Sequence, residues 1–212
     1  MADLESLAAE IAGLGGRCEI VVGDVRRRAE FDAVLDAAVE RCGRLDGLVN
    51  NAGWNRLRDA LDYSEEEVDE LIGLNLNAVY WACVAGAKRM RQTGGGTIVN
   101  ITSQAGVVGA PGRAPYSAAK AGVNNLSRTL AAEWARFGIR VNALAPTVTR
   151  TPLGEAAMAE RPELAAEVAE RNLFGRPAEV GEISLPTIFL LSPAASMITG
   201  HVLVVDGGWT IT

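Results

Sequence analysis

Apolar residues follow two alternating patterns along the chain, a spacing of three to four positions and short continuous runs. The first pattern is clear in residues 28–42, where one predicted helix face carries Phe31, Val34, Leu35, Ala38 and Val39. The second pattern is typical of strands buried in a parallel sheet. These short runs predict strands at 19–22, 45–50, 97–101, 139–144 and 200–205.

Helical spacing returns between the predicted strands. It predicts helices at 3–14, 28–42, 64–91, 114–137 and 177–191, with Ser64 and Glu67 forming a capping box at the start of the third. Strands that alternate with helices imply a parallel sheet with helices on both faces. Residues 153–175, rich in Ala and Glu, are expected to form a mobile lid. Since no linker or repeat interrupts the pattern, we expect residues 1–212 to form a single α/β domain.

Composition narrows the function classes. The formal net charge of -6 argues against a nucleic-acid partner. The three cysteines form no CxxC pair and fit a reducing cytoplasm, and no apolar run is long enough to span a membrane. His201 is the only histidine, so we expect no histidine-rich metal site. A serine hydrolase is a poor interpretation, because the chain has neither a GxSxG elbow nor a suitably placed histidine.

The candidate chemistry is concentrated in residues 103–120. Ser103 precedes Tyr116 by thirteen positions, and Lys120 follows it by four. Residues four apart in a helix share one face, so an ammonium is expected beside a phenol. A nearby positive charge would lower the tyrosine pKa and let Tyr116 exchange a proton near neutral pH. Ser103 can add a hydrogen bond to the same reacting oxygen.

A tyrosine and a lysine at this spacing also occur on ordinary helix surfaces, so the pair alone is a weak signal. Ser103 and the upstream run Asn50-Asn51-Ala52-Gly53 strengthen it. With these motifs the chain resembles the classical short-chain dehydrogenase/reductase family, from about Cys18 to the C-terminus. The resemblance implies a Rossmann-like, doubly wound parallel sheet. It also implies an NAD- or NADP-dependent enzyme that interconverts a carbonyl and a secondary alcohol by hydride transfer.

The resemblance assigns four catalytic positions, Asn75, Ser103, Tyr116 and Lys120. Tyr116 would be the acid or base, and Ser103 would stabilise the developing oxyanion. Lys120 would lower the tyrosine pKa and bind the nicotinamide ribose. Asn75 would hold a water that links Lys120 to solvent. Asn77 is the neighbouring alternative for that position, and an ordinary helical asparagine is the other.

The resemblance also assigns the cofactor contacts. Asp24 would accept a hydrogen bond from adenine and Val25 would pack on its ring, although Asp24 can equally cap the next helix. The ribose would lie against Asn51, Ala52 and Gly53, together with Tyr116 and Lys120. The nicotinamide would contact Pro146, Thr147, Val148, Thr149 and Thr151. The family usually has Pro-Gly where this chain has Pro146-Thr147, a departure that predicts a narrower site.

The substrate is expected to be a small carbonyl or alcohol. Gln104, Trp54, Arg150 and Met158 are candidates for its pocket, and Trp54 can equally be a packing residue. Apolar character on several faces of the helices near 79–87 and 123–134 predicts a homo-oligomer, a dimer or a tetramer.

A fold of this kind normally contains a strand, a glycine-rich turn and a helix that together hold the pyrophosphate. Gly13, Gly15 and Gly16 precede a predicted strand, so we interpret them as a helix terminus. We therefore expect the first βαβ unit to be absent, and the strands near Val21 and Val49 not to pair with each other. On this interpretation the 212 residues alone bind cofactor weakly or not at all. The alternative function is a catalytically silent binding or structural protein.

Overall fold

A computed structural model describes residues 2–212, with side chains from Leu4 onward. Its sheet contains four parallel strands in the order β1-β2-β3-β4, and the bounds of these strands are Gly47–Asn50, Gly96–Ile101, Ile139–Pro146 and Val202–Val205. Asn50 lies opposite Asn100, and Pro146 lies opposite Val205. The parallel register brings the carboxyl ends of all four strands to one edge of the sheet.

Eight α-helices accompany the sheet in the described residues. They are α1 (Ala2–Gly13), α2 (Arg28–Cys42), α3 (Glu65–Ile72), α4 (Ala78–Met90), α5 (Ala114–Trp134), α6 (Pro152–Glu160), α7 (Pro162–Arg171) and α8 (Val180–Leu191). No helix within residues 2–212 combines the length and the apolar character needed to cross a bilayer.

Successive strand residues point to opposite faces of the sheet, and each face is covered by helices. Ile98 and Val141 pack in one core cluster with residues of α4 and α5. Their neighbours Val99 and Leu144 pack in a second cluster with Leu190 of α8. The expected doubly wound, Rossmann-like arrangement is therefore present, with a hydrophobic layer on each side of the sheet.

The strand predicted at 19–22 is wrong. Residues 16–24 have no regular secondary structure, and within the described chain β1 pairs only with β2. An apolar extended segment becomes a strand only where a neighbouring strand completes its backbone hydrogen bonds. Val21 and Val49 are not paired with each other, as expected.

The predicted helix at 64–91 is interrupted. The capping box of Ser64 and Glu67 starts α3 as expected, but residues Gly73–Asn77 form a π-helical turn before α4 begins. In that turn the amide of Ala78 donates to the carbonyl of Gly73, five residues back. Turns of this kind are rare and occur frequently at functional sites. This one contains Asn75.

The remaining differences lie at the ends of elements. The last helix begins at Val180 instead of 177, because Glu179 and Glu182 form a capping box there. The predicted lid at 153–175 contains α6 and α7, which are separated at Arg161, the residue before Pro162.

Candidate active site

Three strand ends and one helix supply the candidate site. The chain leaves β1 into Asn51, leaves β2 toward Ser103 and leaves β3 into Thr147, while α5 carries Tyr116 and Lys120. Ligands of open α/β sheets bind at this carboxyl edge. The edge is braced by Asn50, whose Nδ2 donates to Oδ1 of Asn100 at 2.8 Å and so ties β1 to β2.

Lys120 is buried, with 4% of its surface exposed. Its Nζ donates to the carbonyl of Ile101, the last residue of β2, at 2.9 Å. The same atom lies 5.6 Å from the ring centroid of Tyr116, so the two side chains do share one side of α5. Burial lowers the pKa of Lys120 to about 8. The ammonium is thus held in place by a backbone carbonyl in a poorly solvated position.

The pKa of Tyr116 differs from the expectation. Burial raises the pKa of this phenol above its usual value, and this effect outweighs the hydrogen bond with Ser103 and the charge of Arg113, both of which lower it. The net lowering of the Tyr116 pKa that we predicted is therefore absent in the chain by itself, because burial outweighs the effects that lower it. Helical spacing indicated the neighbouring ammonium, but it could not indicate how far the phenol is removed from water.

Asn75 is fully buried in the π-helical turn. Its Nδ2 donates to the carbonyls of Trp54 at 2.9 Å and Leu71 at 3.0 Å, while its Oδ1 is buried without a partner. A Cβ added at Gly53 would lie 2.7 Å from that Oδ1 and 3.5 Å from Nζ of Lys120. Asn75, Lys120 and the turn after β1 therefore meet at one point, and only glycine fits between them. Asn77, the alternative, is exposed.

Ser103 is buried at the end of β2. Its Oγ accepts a hydrogen bond from the amide of Ala105 at 3.1 Å, which caps the short turn Gln104–Gly106. This contact fixes the serine rotamer while leaving its hydroxyl proton free for another acceptor.

One residue predicted for adenine lies beside two predicted for the ribose. Val25 lines one small cavity of about 60 Å³ beside β1, together with Asn51 and Ala52. The carboxylate of Asp24 is already engaged, because it accepts from the backbone amide of Arg26 at 2.9 Å and from its guanidinium at 2.8 Å. These hydrogen bonds lower the pKa of Asp24 to about 2. In this state Asp24 stabilises the turn before α2.

Thr147, Val148, Thr149 and Thr151 line a second, larger cleft of about 270 Å³ beside Tyr116. Thr147 is buried and its Oγ1 has no partner. No non-glycine residue in the described chain has a positive φ, so Thr147 takes the place of the usual glycine without backbone strain. Thr151 accepts from the amide of Gly154 at 3.0 Å and caps α6.

Comparison with known proteins identifies the family. The family model described as Enoyl-(Acyl carrier protein) reductase matches residues 1–210. A D-threitol dehydrogenase from Mycolicibacterium smegmatis is 40% identical over 208 residues, which are 98% of this chain and 79% of that protein. The chain belongs to the short-chain dehydrogenase/reductase family. Members of this family are oxidoreductases that use NAD or NADP, and this chain is an enzyme of that class.

Two further short-chain dehydrogenases are similar. A cyclopentanol dehydrogenase from Comamonas sp. is 38% identical over 202 residues, 95% of this chain and 80% of that protein. The crystal structure of a gluconate 5-dehydrogenase from Burkholderia cenocepacia, in complex with NADP and tartrate, superposes with a TM-score of 0.92 at 34% identity. That comparison covers 98% of this chain and 81% of the other.

The sequence predicted only some of the residues that line the cleft of this short-chain dehydrogenase. Gln104 lines the cleft as suggested, but Trp54, Arg150 and Met158 do not. Arg150 instead pairs with Glu179 at 2.9 Å and with Glu155 at 3.6 Å. Arg113 and Arg161 line the cleft and were missed. Arg113 could have been found from its position three residues before Tyr116, a spacing that puts two side chains on one side of a helix.

Proposed function

We propose that this enzyme interconverts a secondary alcohol and the corresponding carbonyl, with Tyr116 as the acid and base. One observation carries the proposal: Tyr116, Ser103, Lys120 and Asn75 converge at the carboxyl edge of the sheet, beside a cleft large enough for a small substrate. The names of similar proteins, which include dehydrogenases of a polyol and of a cyclic alcohol, support it. Turnover of an alcohol panel with NAD and NADP, by a chain extended upstream and by its Tyr116→Phe variant, tests it.

Each residue has a proposed role. In the oxidation direction Tyr116 accepts the proton of the substrate hydroxyl, and in the reduction direction it returns one to the carbonyl oxygen. Ser103 donates a hydrogen bond to that oxygen as charge develops on it. Lys120 holds positive charge next to the phenol, and the free Oδ1 of Asn75 accepts from a water that connects Lys120 to solvent. Bound NAD or NADP supplies the hydride acceptor or donor.

The chain's residues fit most parts of such a cofactor. The cavity at Val25, Asn51 and Ala52 suits adenine and its ribose. Lys120 with Tyr116 suits the nicotinamide ribose, and the unpartnered Oγ1 of Thr147 suits the carboxamide. Within residues 2–212, however, no glycine-rich turn leads from a strand into a helix. We propose that the pyrophosphate is held by residues outside this range, and that a further strand there pairs with the open edge of β1.

Residues 1–212 alone are therefore expected to bind NADPH and NADH weakly or not at all, since no group among the described residues is placed to neutralise two phosphate charges. Isothermal titration calorimetry with each cofactor measures this, and the same titration on a chain extended upstream is the control. Micromolar binding by the 212 residues together with turnover of a ketone would contradict the expectation. Absence of binding in both chains would favour the second candidate, a catalytically silent protein, which the lack of a phosphate-binding turn supports.

We also propose that the enzyme is a homo-oligomer, a dimer or a tetramer. A groove of about 380 Å³ lies between α4 and α5 and is lined by aromatic and aliphatic side chains that include Tyr80, Val84 and Trp134. A second copy of the chain, with the same groove, would cover this surface.

Light scattering at micromolar concentration is expected to give at least the mass of a dimer. Val84→Glu places a charge in the groove and is expected to shift the population toward the monomer. Leu61→Glu is the matched control, because Leu61 is 94% exposed and lies outside the groove. A monomeric wild type, or equal effects of the two variants, would contradict the interface.

We propose further that residues 1–212 act as a single domain in the cytoplasm, on small-molecule substrates and without a nucleic-acid or membrane partner. The free thiols of Cys18, Cys42 and Cys83 support the location.

A further inference from the structure

Two arginines face the cleft beside Tyr116 without an acidic partner. Arg113 is half-buried at the start of α5, and its Nε is buried with no hydrogen-bond acceptor. Arg161, between α6 and α7, lines the same cleft. Neither guanidinium forms an ion pair with a carboxylate in the part of the chain that the structure describes. Glu167 acts on Arg113 from a distance but pairs with Arg171 at 3.5 Å.

The two guanidinium groups line one cleft. Burial lowers the pKa of Arg113 most, the charge of Glu167 raises it, and the positive charge of Arg161 has a smaller lowering effect. Partly desolvated like charges are unfavourable unless a counter-ion lies between them. Because planar guanidinium groups match carboxylates in geometry, a carboxylate is the ligand that this arrangement favours.

The rest of the cleft is prepared for a polar ligand. Gln104 is 3% exposed and Thr147 is 7% exposed, and both line the cleft. Oε1 of Gln104 is buried without a hydrogen-bond partner, as is Oγ1 of Thr147, which is assigned above to the cofactor carboxamide. Since buried polar atoms in proteins almost always have partners, a ligand or water with donor groups is expected here.

Arg113 is held next to the reacting group. The carbonyl of Gly112 accepts from the amide of Arg58 at 2.9 Å and from the hydroxyl of Tyr63 at 3.2 Å, which fixes the turn that leads into α5. Arg113 and Tyr116 line the same cleft. A small substrate in that cleft could therefore place an anionic group at Arg113 and its reacting carbon at Tyr116.

We propose that the substrate is a hydroxy acid or the corresponding oxo acid, with its carboxylate bound by Arg113 and Arg161 and its reacting carbon at Tyr116. This inference rests on the proposed alcohol–carbonyl interconversion. In oxidation the substrate loses a hydride to NAD⁺ or NADP⁺ and its hydroxyl proton to Tyr116, while the carboxylate is unchanged. Arg113 thus determines specificity for acids over neutral alcohols.

The test uses matched pairs that differ only in a carboxylate, 3-hydroxybutyrate with 1,3-butanediol and threonate with threitol. Affinity for each is measured by calorimetry on the chain extended upstream, with and without NADP⁺, and kcat/KM is measured with NAD⁺ and NADP⁺. In the wild type at least one acid is expected to bind more tightly than its alcohol by roughly 10- to 100-fold. Arg113→Gln should abolish that preference, and Arg113→Lys should keep part of it.

Arg44→Gln is the matched control, because Arg44 pairs with Asp46 at the opposite edge of the sheet and should leave the preference unchanged. Thermal unfolding of each variant checks that it folds. Equal binding of both acids and alcohols by the wild type, or an unchanged preference in a folded Arg113→Gln, would overturn the anion site. Acid-selective binding without turnover would instead leave the anion site intact and contradict the proposed function.

Discussion

Replacing Tyr116 with phenylalanine is expected to lower kcat by about 10²-fold or more while leaving cofactor affinity nearly unchanged. The variant removes one oxygen atom from a half-buried side chain and keeps the ring near Nζ of Lys120. Among the described residues, Tyr116 is the tyrosine whose ring lies beside a lysine ammonium, 5.6 Å from Nζ of Lys120. Because the other cofactor-facing residues are untouched, the loss should fall on the chemical step and not on binding.

Steady-state rates in both directions, measured on the chain extended upstream, check this expectation. Tyr80→Phe is the matched control, because it removes the same atom from a tyrosine on α4. A raised Tyr116 pKa also predicts that alcohol oxidation, which needs the phenolate, accelerates as the pH rises, whereas carbonyl reduction uses the phenol and does not. Near-normal turnover by Tyr116→Phe would show that another group moves the proton.

The parts of the site that depend on local spacing could be predicted from the sequence. The bounds of α2 and the shared side of Tyr116 and Lys120 follow from helical periodicity, which contacts elsewhere did not override. The position of Ser103 follows from the end of a buried strand. Each of these features is determined by residues that are near it in the sequence.

What could not be predicted depends on distant partners. The segment 19–22 has the composition of a strand, but strand structure also requires a neighbour. The π-helical turn at Asn75 could not be predicted from helix propensity. The side-chain amide of Asn75 donates to the carbonyl of Leu71 in α3 and to the carbonyl of Trp54, which is distant in sequence. The Tyr116 pKa depends on burial, and the choice of Arg113 over Arg150 depends on where Glu179 lies.

Lys120→Met is expected to abolish turnover and at the same time to stabilise the fold. Burial lowers the pKa of Lys120 to about 8, so keeping it protonated in the folded chain at pH 7 costs about 3 kcal/mol relative to its ordinary pKa. Methionine has a similar length and no charge, but it leaves the carbonyl of Ile101 without its donor, a loss of about 1 kcal/mol. A net gain of about 1–2 kcal/mol in the free energy of unfolding should remain for the variant. The wild type would thus be less stable because it keeps a lysine that its activity requires.

The stability difference between the wild type and Lys120→Met should depend on pH. A difference caused by packing alone would not. Below pH 8 Lys120 is protonated in both the folded and unfolded chains, so its destabilising effect is complete and constant. Between pH 8 and about 10.4 the unfolded chain binds more protons than the folded one, and this contribution makes the wild type more stable as the pH rises. Cys83, whose pKa burial raises to about 12, has the opposite effect at high pH, but it is present in both proteins and cancels in their difference.

Urea unfolding of the wild type and Lys120→Met at a series of pH values from 6 to about 10.4 measures that difference. The stability advantage of the variant should be largest below pH 8 and should shrink as the pH approaches 10.4. Lys88→Met is the control, because Lys88 is the only other lysine of the chain and is exposed on α4, so its replacement should change stability by less than about 0.5 kcal/mol. A variant less stable than the wild type at pH 7, or a difference that does not vary with pH, would mean that Lys120 is solvated or paired in the folded protein and is not held as a strained, buried charge.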